Sequence, residues 1–217
     1  MADNKTTQQE VLSDIESRAP QSMHPILEAA FKYQKQLILA VSVIIGVTAI
    51  YAGYNAYAAK AKATAQAELG VILVETRNKD QIEKLETLLS TVPASVKPAV
   101  VLEIAQASMT FGEYAKAVTY WGMLVGETND DMQFTARMGK AKALLLEGKS
   151  ADALTEMKEL VGIASAAYTV PVYRQLALAA ETAGDTVEAL DAYKKIAEKD
   201  VADKPFIDYK ISQLESK

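Results

Sequence analysis

One histidine, His24, and no cysteine make up this chain's entire stock of imidazole and thiol. A Ser-His-Asp arrangement or a multi-histidine metal site beyond the apolar segment that follows His24 is therefore impossible. Without cysteine there are no disulfides, no zinc-thiolate site, no lipoprotein acylation site and no thiol catalysis. That composition fits an oxidising compartment. Two acidic pairs, Asp130 with Asp131 and Asp185 with Glu188, have the spacing for acid-base or calcium chemistry. Each pair also precedes or opens an apolar-periodic stretch, one starting near Phe134 and one containing Ala189, where carboxylates complement a helix N-terminus. Glycines are spread rather than clustered, so no phosphate-cradling loop is present. The expectation is a non-enzymatic protein with no catalytic residue, no metal and no cofactor.

What spreads the glycines is a ruler. Gly112, Gly148 and Gly184 stand 36 residues apart, and each is followed five residues later by alanine: Ala117, Ala153 and Ala189. Seven residues before each glycine comes another alanine, Ala105, Ala141 or Ala177. Glycine tolerates the left-handed backbone of a sharp helix-ending turn, and alanine lets two helices approach where they cross. Four residues beyond each later alanine stands Trp121, Met157 or Tyr193, and three further on Leu124, Leu160 or Ile196. That is an i, i+4, i+7 apolar stripe, and the whole reads as helix, tight turn, helix, repeated.

This order of small residue, glycine, small residue and bulky residue resembles the tetratricopeptide repeat. That repeat usually spans about 34 residues, so the two extra ones are expected to lengthen loops. The pattern covers Lys97 to Val125, Phe134 to Leu160 and Val170 to Glu198. It departs from the family at Lys140, where leucine is preferred, and at Thr186, where an aromatic is common. A degenerate first unit is expected over Lys60 to Thr91, where Leu85, Leu88 and Leu89 suggest a second helix but no glycine marks the turn. Pro205 opens a short final helix, Phe206 to Leu214, that would cap the stack. In tetratricopeptide stacks the first helix of each pair lines a concave groove. Carried onto this sequence, the groove positions are Leu102, Gln106 and Met109, then Met138, Lys142 and Leu145, then Arg174, Leu178 and Glu181. The set is apolar, bears methionines that adapt to varied partners, and has a charged edge, which suits a hydrophobic peptide segment or a partner's helix. The Lys, Arg and Asn array with which chaperone adaptors of this fold hold a C-terminal carboxylate is not reproduced.

Ahead of the repeats, Gln36 through Ala59 are 24 consecutive residues without a formal charge, bounded by Lys35 and Lys60. At about 1.5 Å per residue such a helix crosses a hydrocarbon core of about 30 Å. Tyr33 on one side and Tyr51, Tyr54 and Tyr57 on the other fit interfacial aromatic belts, with Lys32, Lys35, Lys60 and Lys62 free to reach water. The Ala56-Tyr57-Ala58 pattern raises the alternative of a cleaved signal peptide, but the preceding 35 residues carry five acids, unlike a short basic leader. Gly46, Ala49 and Gly53 give one face of the span a small-residue surface suited to close helix packing. Basic residues flank both ends, Arg18, Lys32 and Lys35 against Lys60, Lys62, Arg77 and Lys79, so charge does not orient the span. Residues 60–217 carry 19 basic and 23 acidic side chains, a net charge of −4. That weakly acidic domain is unsuited to nucleic acid as its main partner.

Taken as a whole, the layout resembles the bacterial ancillary subunit family of the SecYEG translocon, single-span inner-membrane proteins with a periplasmic tetratricopeptide-like domain. The resemblance rests on a short charged tail, an uncleaved span, the alanine-rich stretch from Ala58 to Leu69, the segment Leu102-Glu103-Ile104-Ala105-Gln106, and the closing Tyr209-Lys210-Ile211-Ser212-Gln213-Leu214. It implies association with the SecYEG translocon and with a membrane-anchored periplasmic chaperone of the peptidyl-prolyl isomerase type, acting on exported polypeptides. The N-terminus would be cytoplasmic and the C-terminal domain periplasmic. An alternative is a scaffold for envelope assembly or cell division that binds folded partner proteins. The expected architecture is all-α: a short tail over 1–35, a transmembrane helix over 36–59, and a tetratricopeptide-like α-solenoid over 60–217 with about three to four helix pairs and a C-terminal capping helix.

Overall fold

The computed structural model describes residues 33–127 and 130–216, which form nine α-helices and a short 3-10 turn. In chain order these are α1 (Gln34–Glu75), α2 (Asp80–Thr91), α3 (Lys97–Thr110), α4 (Tyr114–Glu127), α5 (Asp130–Glu147), α6 (Ser150–Ile163), the 3-10 turn Ala166–Tyr168, α7 (Thr169–Ala183), α8 (Thr186–Ala197) and α9 (Lys204–Glu215). No strand occurs among the described residues. The chain divides into two units, residues 1–58 and 59–217. Helix α1, which begins in the first unit and ends in the second, is long and apolar enough to cross a membrane, by length and composition. Ile38, Leu39, Val41, Val43, Ile44, Ile45, Val47 and Ile50 all point outward from it. His24 and the rest of the expected tail up to Lys32 lie outside the described residues.

The second unit is a stack of helix pairs, and the glycine ruler builds it. Gly112, Gly148 and Gly184 follow α3, α5 and α7 with φ of 77°, 88° and 79°, the left-handed region that favours glycine. At each, the amide of the next residue donates to the carbonyl five residues back: Glu113 to Ser108, Lys149 to Leu144 and Asp185 to Ala180, at 2.8 to 2.9 Å. Those bonds satisfy carbonyls that a helix end leaves unpaired. Asp185 then accepts from the Glu188 amide at 3.1 Å, so it caps α8, and Glu188 lies in the first turn. Helix α5 begins at Asp130, four residues before the expected start near Phe134, which places both acids in its first turn.

From α2 onward each helix packs on the next, and α5 also meets α7, the first helix of the following pair. The turns within pairs are short. The residues beyond the usual repeat length sit between pairs, at 164–168 and 198–203, and in the 18-residue α5. Three cores run along the stack. Ala65 of α1 joins Ile82, Leu85, Leu88 and the start of α3, with Leu69, Ile72 and Leu73 leaning on them, so the degenerate first pair is real. Its turn lacks glycine and uses Asn78, whose side-chain oxygen accepts from the Asp80 amide at 3.2 Å. The second core brings Val101, Ala105, Ala117, Trp121 and Leu124 onto Ala136 and Ala143 of α5. The third runs from Phe134 to Leu214 and includes Met157, Leu160, Leu176, Tyr193, Ile196 and Ile207. Helix α9, opened by Pro205, closes the stack on α8.

Candidate partner-binding face

The nine groove positions fall at i, i+4 and i+7 on α3, α5 and α7, hence on one face of each helix. They separate by burial. Gln106, Lys142 and Leu178 are exposed, whereas Leu102, Met109, Met138, Leu145, Arg174 and Glu181 are half-buried. Leu102 and Met109 lean on the second core, and Met138 and Leu145 on the third. Leu178 is the apolar residue the face offers most openly, at 53% exposure. Leu146, next to Leu145, is exposed as well and was not among the sequence candidates. The signal in the sequence was its register, because threonines, Thr110 and Thr182, stand 36 residues to either side of it.

The charged edge is largely occupied by the chain itself. Arg174 grips the Asp203 carboxylate with two nitrogens, one at 2.7 Å, so Asp203 at the start of α9 serves α7 rather than its own helix. This hydrogen bond holds the Asp203 carboxyl below its ordinary range. Glu181 accepts from Lys210 of α9 at 2.9 Å and from the Tyr193 hydroxyl at 3.2 Å. Burial, with Glu181 beside it, pushes the Tyr193 phenol up to about 12. Arg174 and Glu181 thus fasten the final helix, and Lys142 is the exposed cation among the nine.

Lys140, the departure from the family's leucine, has a partner that sequence reading missed. Glu156 of α6 accepts from Lys140 at 2.8 Å and from Arg137, which also reaches Glu159. Burial alone would raise the Glu156 carboxyl, but the hydrogen bonds from Lys140 and Arg137 hold it below its ordinary value of 4.5. Lys140, Glu156 and Glu159, with Leu144, Asp152 and Thr155, line a shallow cleft between α5 and α6. Its lining carries three carboxylates, Asp152, Glu156 and Glu159, of which Glu156 is paired with Lys140 and Arg137 and Glu159 with Arg137. A parallel triad ties α2 to α4, where Glu86 accepts from Lys116 at 2.8 Å and Tyr120 at 3.0 Å.

In the first unit, Gly46, Ala49 and Gly53 are exposed, and a methyl added at either glycine would meet nothing within 4 Å. Asp130 and Asp131 have side chains outside the described residues. Among the described residues no group of three histidine, cysteine or acidic side chains is placed to hold a metal ion. The chemistry this surface supports is noncovalent: an exposed leucine, Leu178, with a cation, Lys142, on the same face.

No family model matches the chain, and no curated protein matches it. Solved structures do. The MamA RS-1 ArsTM double mutant superposes with a TM-score of 0.54 at 16% identity, over 72% of this chain and 95% of that one. A putative kinesin light chain with nearly identical TPR-like repeats from Podosopora anserina superposes with a TM-score of 0.50 at 19% identity, over 83% of this chain and 96% of that one. The fold is a tetratricopeptide-like helical stack.

Proposed function

We propose that this chain is a non-enzymatic protein-binding module carried on a membrane-spanning helix, and that the face of α3, α5 and α7 takes an apolar peptide segment or partner helix. The observation that carries the reading is Leu178, a leucine left half uncovered between Arg174 and Glu181, on a face that also carries the half-buried Leu102, Met109, Met138 and Leu145. Apolar area exposed in this way gains roughly 25 cal/mol for each Å² a partner covers. The sequence resemblance supplies the finer proposal. The chain is an accessory of the SecYEG translocon in the bacterial inner membrane, with its stack in the periplasm, assisting exported polypeptides together with a membrane-anchored chaperone. A span that tethers the binding face near the translocon exit raises its effective concentration for emerging segments, and no chemistry is required.

The test is site-specific photocrosslinking in intact cells, with a photoreactive residue at Leu178 and another at Gly46. Varied exported chains at Leu178 together with translocon subunits at Gly46 are expected. A single envelope protein at Leu178 and no translocon subunit at Gly46 would replace this reading with an assembly or division scaffold. With the photoreactive residue moved to exposed Lys142 on the same face, Leu178→Glu should abolish the exported-chain adducts while leaving helicity intact, because the Leu178 side chain already meets solvent.

A further inference from the structure

The face of α3, α5 and α7 continues onto α9. Ile207, Ile211 and Leu214 seat α9 on the third core as Val172, Leu176 and Ala179 seat α7, at an offset of 35 residues. At that offset Tyr209 and Gln213 correspond to Arg174 and Leu178, and both are exposed. The central row of the face is therefore Gln106, Lys142, Leu178 and Gln213, every one of them exposed. Its charge can be followed residue by residue. Arg174 is taken by Asp203, and Glu181 by Lys210. Tyr209 and Gln213 add none. Glu103 adjoins the face only at its α3 end, beside Leu102, and is half-buried. Lys142, on the middle helix, has no hydrogen-bond or ionic partner among the described residues. An open ammonium thus stands in the middle of this face, on a domain whose net charge is −4. Charge placed in this way admits an anionic partner at one spot and repels it elsewhere.

Leu178 follows Lys142 in the same row, one helix along. Helices α5 and α7 are in contact, with Gln175 Nε2 of α7 donating to the Met138 carbonyl of α5 at 2.8 Å. Packed helices lie about 8–10 Å apart, axis to axis. An extended chain advances about 3.3 Å per residue, so about three residues carry it from Leu178 to Lys142. We propose that the segment this face takes is an unfolded, acidic-aliphatic one, with a carboxylate three residues from its apolar anchor: the aliphatic side chain covers Leu178 and the carboxylate meets the Lys142 ammonium. The inference rests on the reading of this face as a binding surface and names the class of segment it selects. A neutral or basic segment of equal hydrophobicity gains the contact with Leu178 alone.

The probe is a fluorescently labelled peptide with a leucine-valine-leucine centre and, on each side, an aspartate three residues from the nearer leucine, with serines between. Two analogues carry asparagine or lysine in place of aspartate. Each is titrated by anisotropy against the full chain in nanodiscs of neutral lipid, with empty nanodiscs as the blank. The aspartate peptide is expected to bind about two- to fivefold tighter than the asparagine one, the range of an exposed ion pair, and the lysine peptide weaker than both. The preference should fade at about 1 M salt, where the screening length is about 3 Å. Lys142→Ala should erase that order and Lys142→Glu invert it, while Lys199→Ala, at an exposed lysine beyond α8, keeps it. Lys142 is exposed, so its variants keep the fold, which far-UV circular dichroism checks. Equal affinity of the three peptides, or an aspartate preference that survives Lys142→Ala, overturns the proposal; if binding is still lost in Leu178→Glu, the face stands and its acidic partner falls. If no peptide binds saturably, or Leu178→Glu changes nothing, the reading of the face falls and takes this inference with it.

Discussion

Gly139 and Gly122 are both helical glycines, and the same substitution should move stability in opposite directions. Replacing either by alanine favours the helix by about 1 kcal/mol, because the unfolded chain loses freedom. At Gly122 an added Cβ meets nothing within 4 Å, so that gain stands alone. At Gly139 the Cβ would lie 2.6 Å from Trp121 Cδ2 and Cε2 and 2.9 Å from Cε3, about 0.8 Å short of where ordinary contact begins. What it strikes is the middle of a rigid indole only 7% exposed, clasped between α4 and the small stripe Ala136, Gly139 and Ala143 of α5. Overpacking of this kind costs about 1–3 kcal/mol, which exceeds the helix gain. In a domain of this size about 1 kcal/mol moves Tm by roughly 2–4 °C, so Gly122→Ala should raise Tm by a few degrees and Gly139→Ala should lower it by as much. Thermal unfolding followed by far-UV circular dichroism reads the sign. Trp121 is the chain's single tryptophan, so its emission reads the place, shifting in Gly139→Ala and not in Gly122→Ala. Trp121→Leu should cancel the penalty of Gly139→Ala in a double-mutant cycle. If Gly139→Ala is as stable as Gly122→Ala with unaltered emission, the close approach of α5 to the indole is wrong.

Four further outcomes follow from the same physical reading. Gly184→Ala should destabilise by about 1–2 kcal/mol, since its φ of 79° is left-handed, and Gly184→Asn by less; denaturant midpoints give the order. Ser108 is fully buried and its hydroxyl has no partner among the described residues, so Ser108→Ala should stabilise by about 1 kcal/mol in the same assay. Lys140→Leu, although it restores the residue the repeat family prefers, should lower Tm because it removes one of two cations from the largely buried Glu156 carboxylate. Glu156 is held below its ordinary 4.5, so its contribution is present in full above that pH and is lost as pH falls through the lowered value. Glu156→Gln should therefore be destabilised by about 2 kcal/mol at neutral pH and converge with the parent below pH 4.5; curves that stay parallel would remove the carboxylate from the account.

The sequence by itself determined what depends on local backbone and period. Three glycines at 36-residue spacing ended three helices because a left-handed turn is a demand on one residue, and alanines on either side marked where paired helices cross. The long apolar helix was equally legible, since length and composition need no partner. Even the pair without a glycine could be placed from Leu85 and Leu88, which keep the interval to Trp121 and Leu124. Tertiary structure decided everything set by residues distant in the chain. Lys140 and Arg137 look misplaced until Glu156 of the next helix comes beside them. Arg174 and Glu181 read as groove residues until Asp203 and Lys210, 29 residues further along in each case, claim them. Gly139 looks like a flaw in a helix until Trp121 fills the space its missing side chain leaves. Periodicity reports which face of a helix is apolar, but which neighbour covers that face, and whether any does at Leu178 or Tyr209, is fixed only when the helices have stacked.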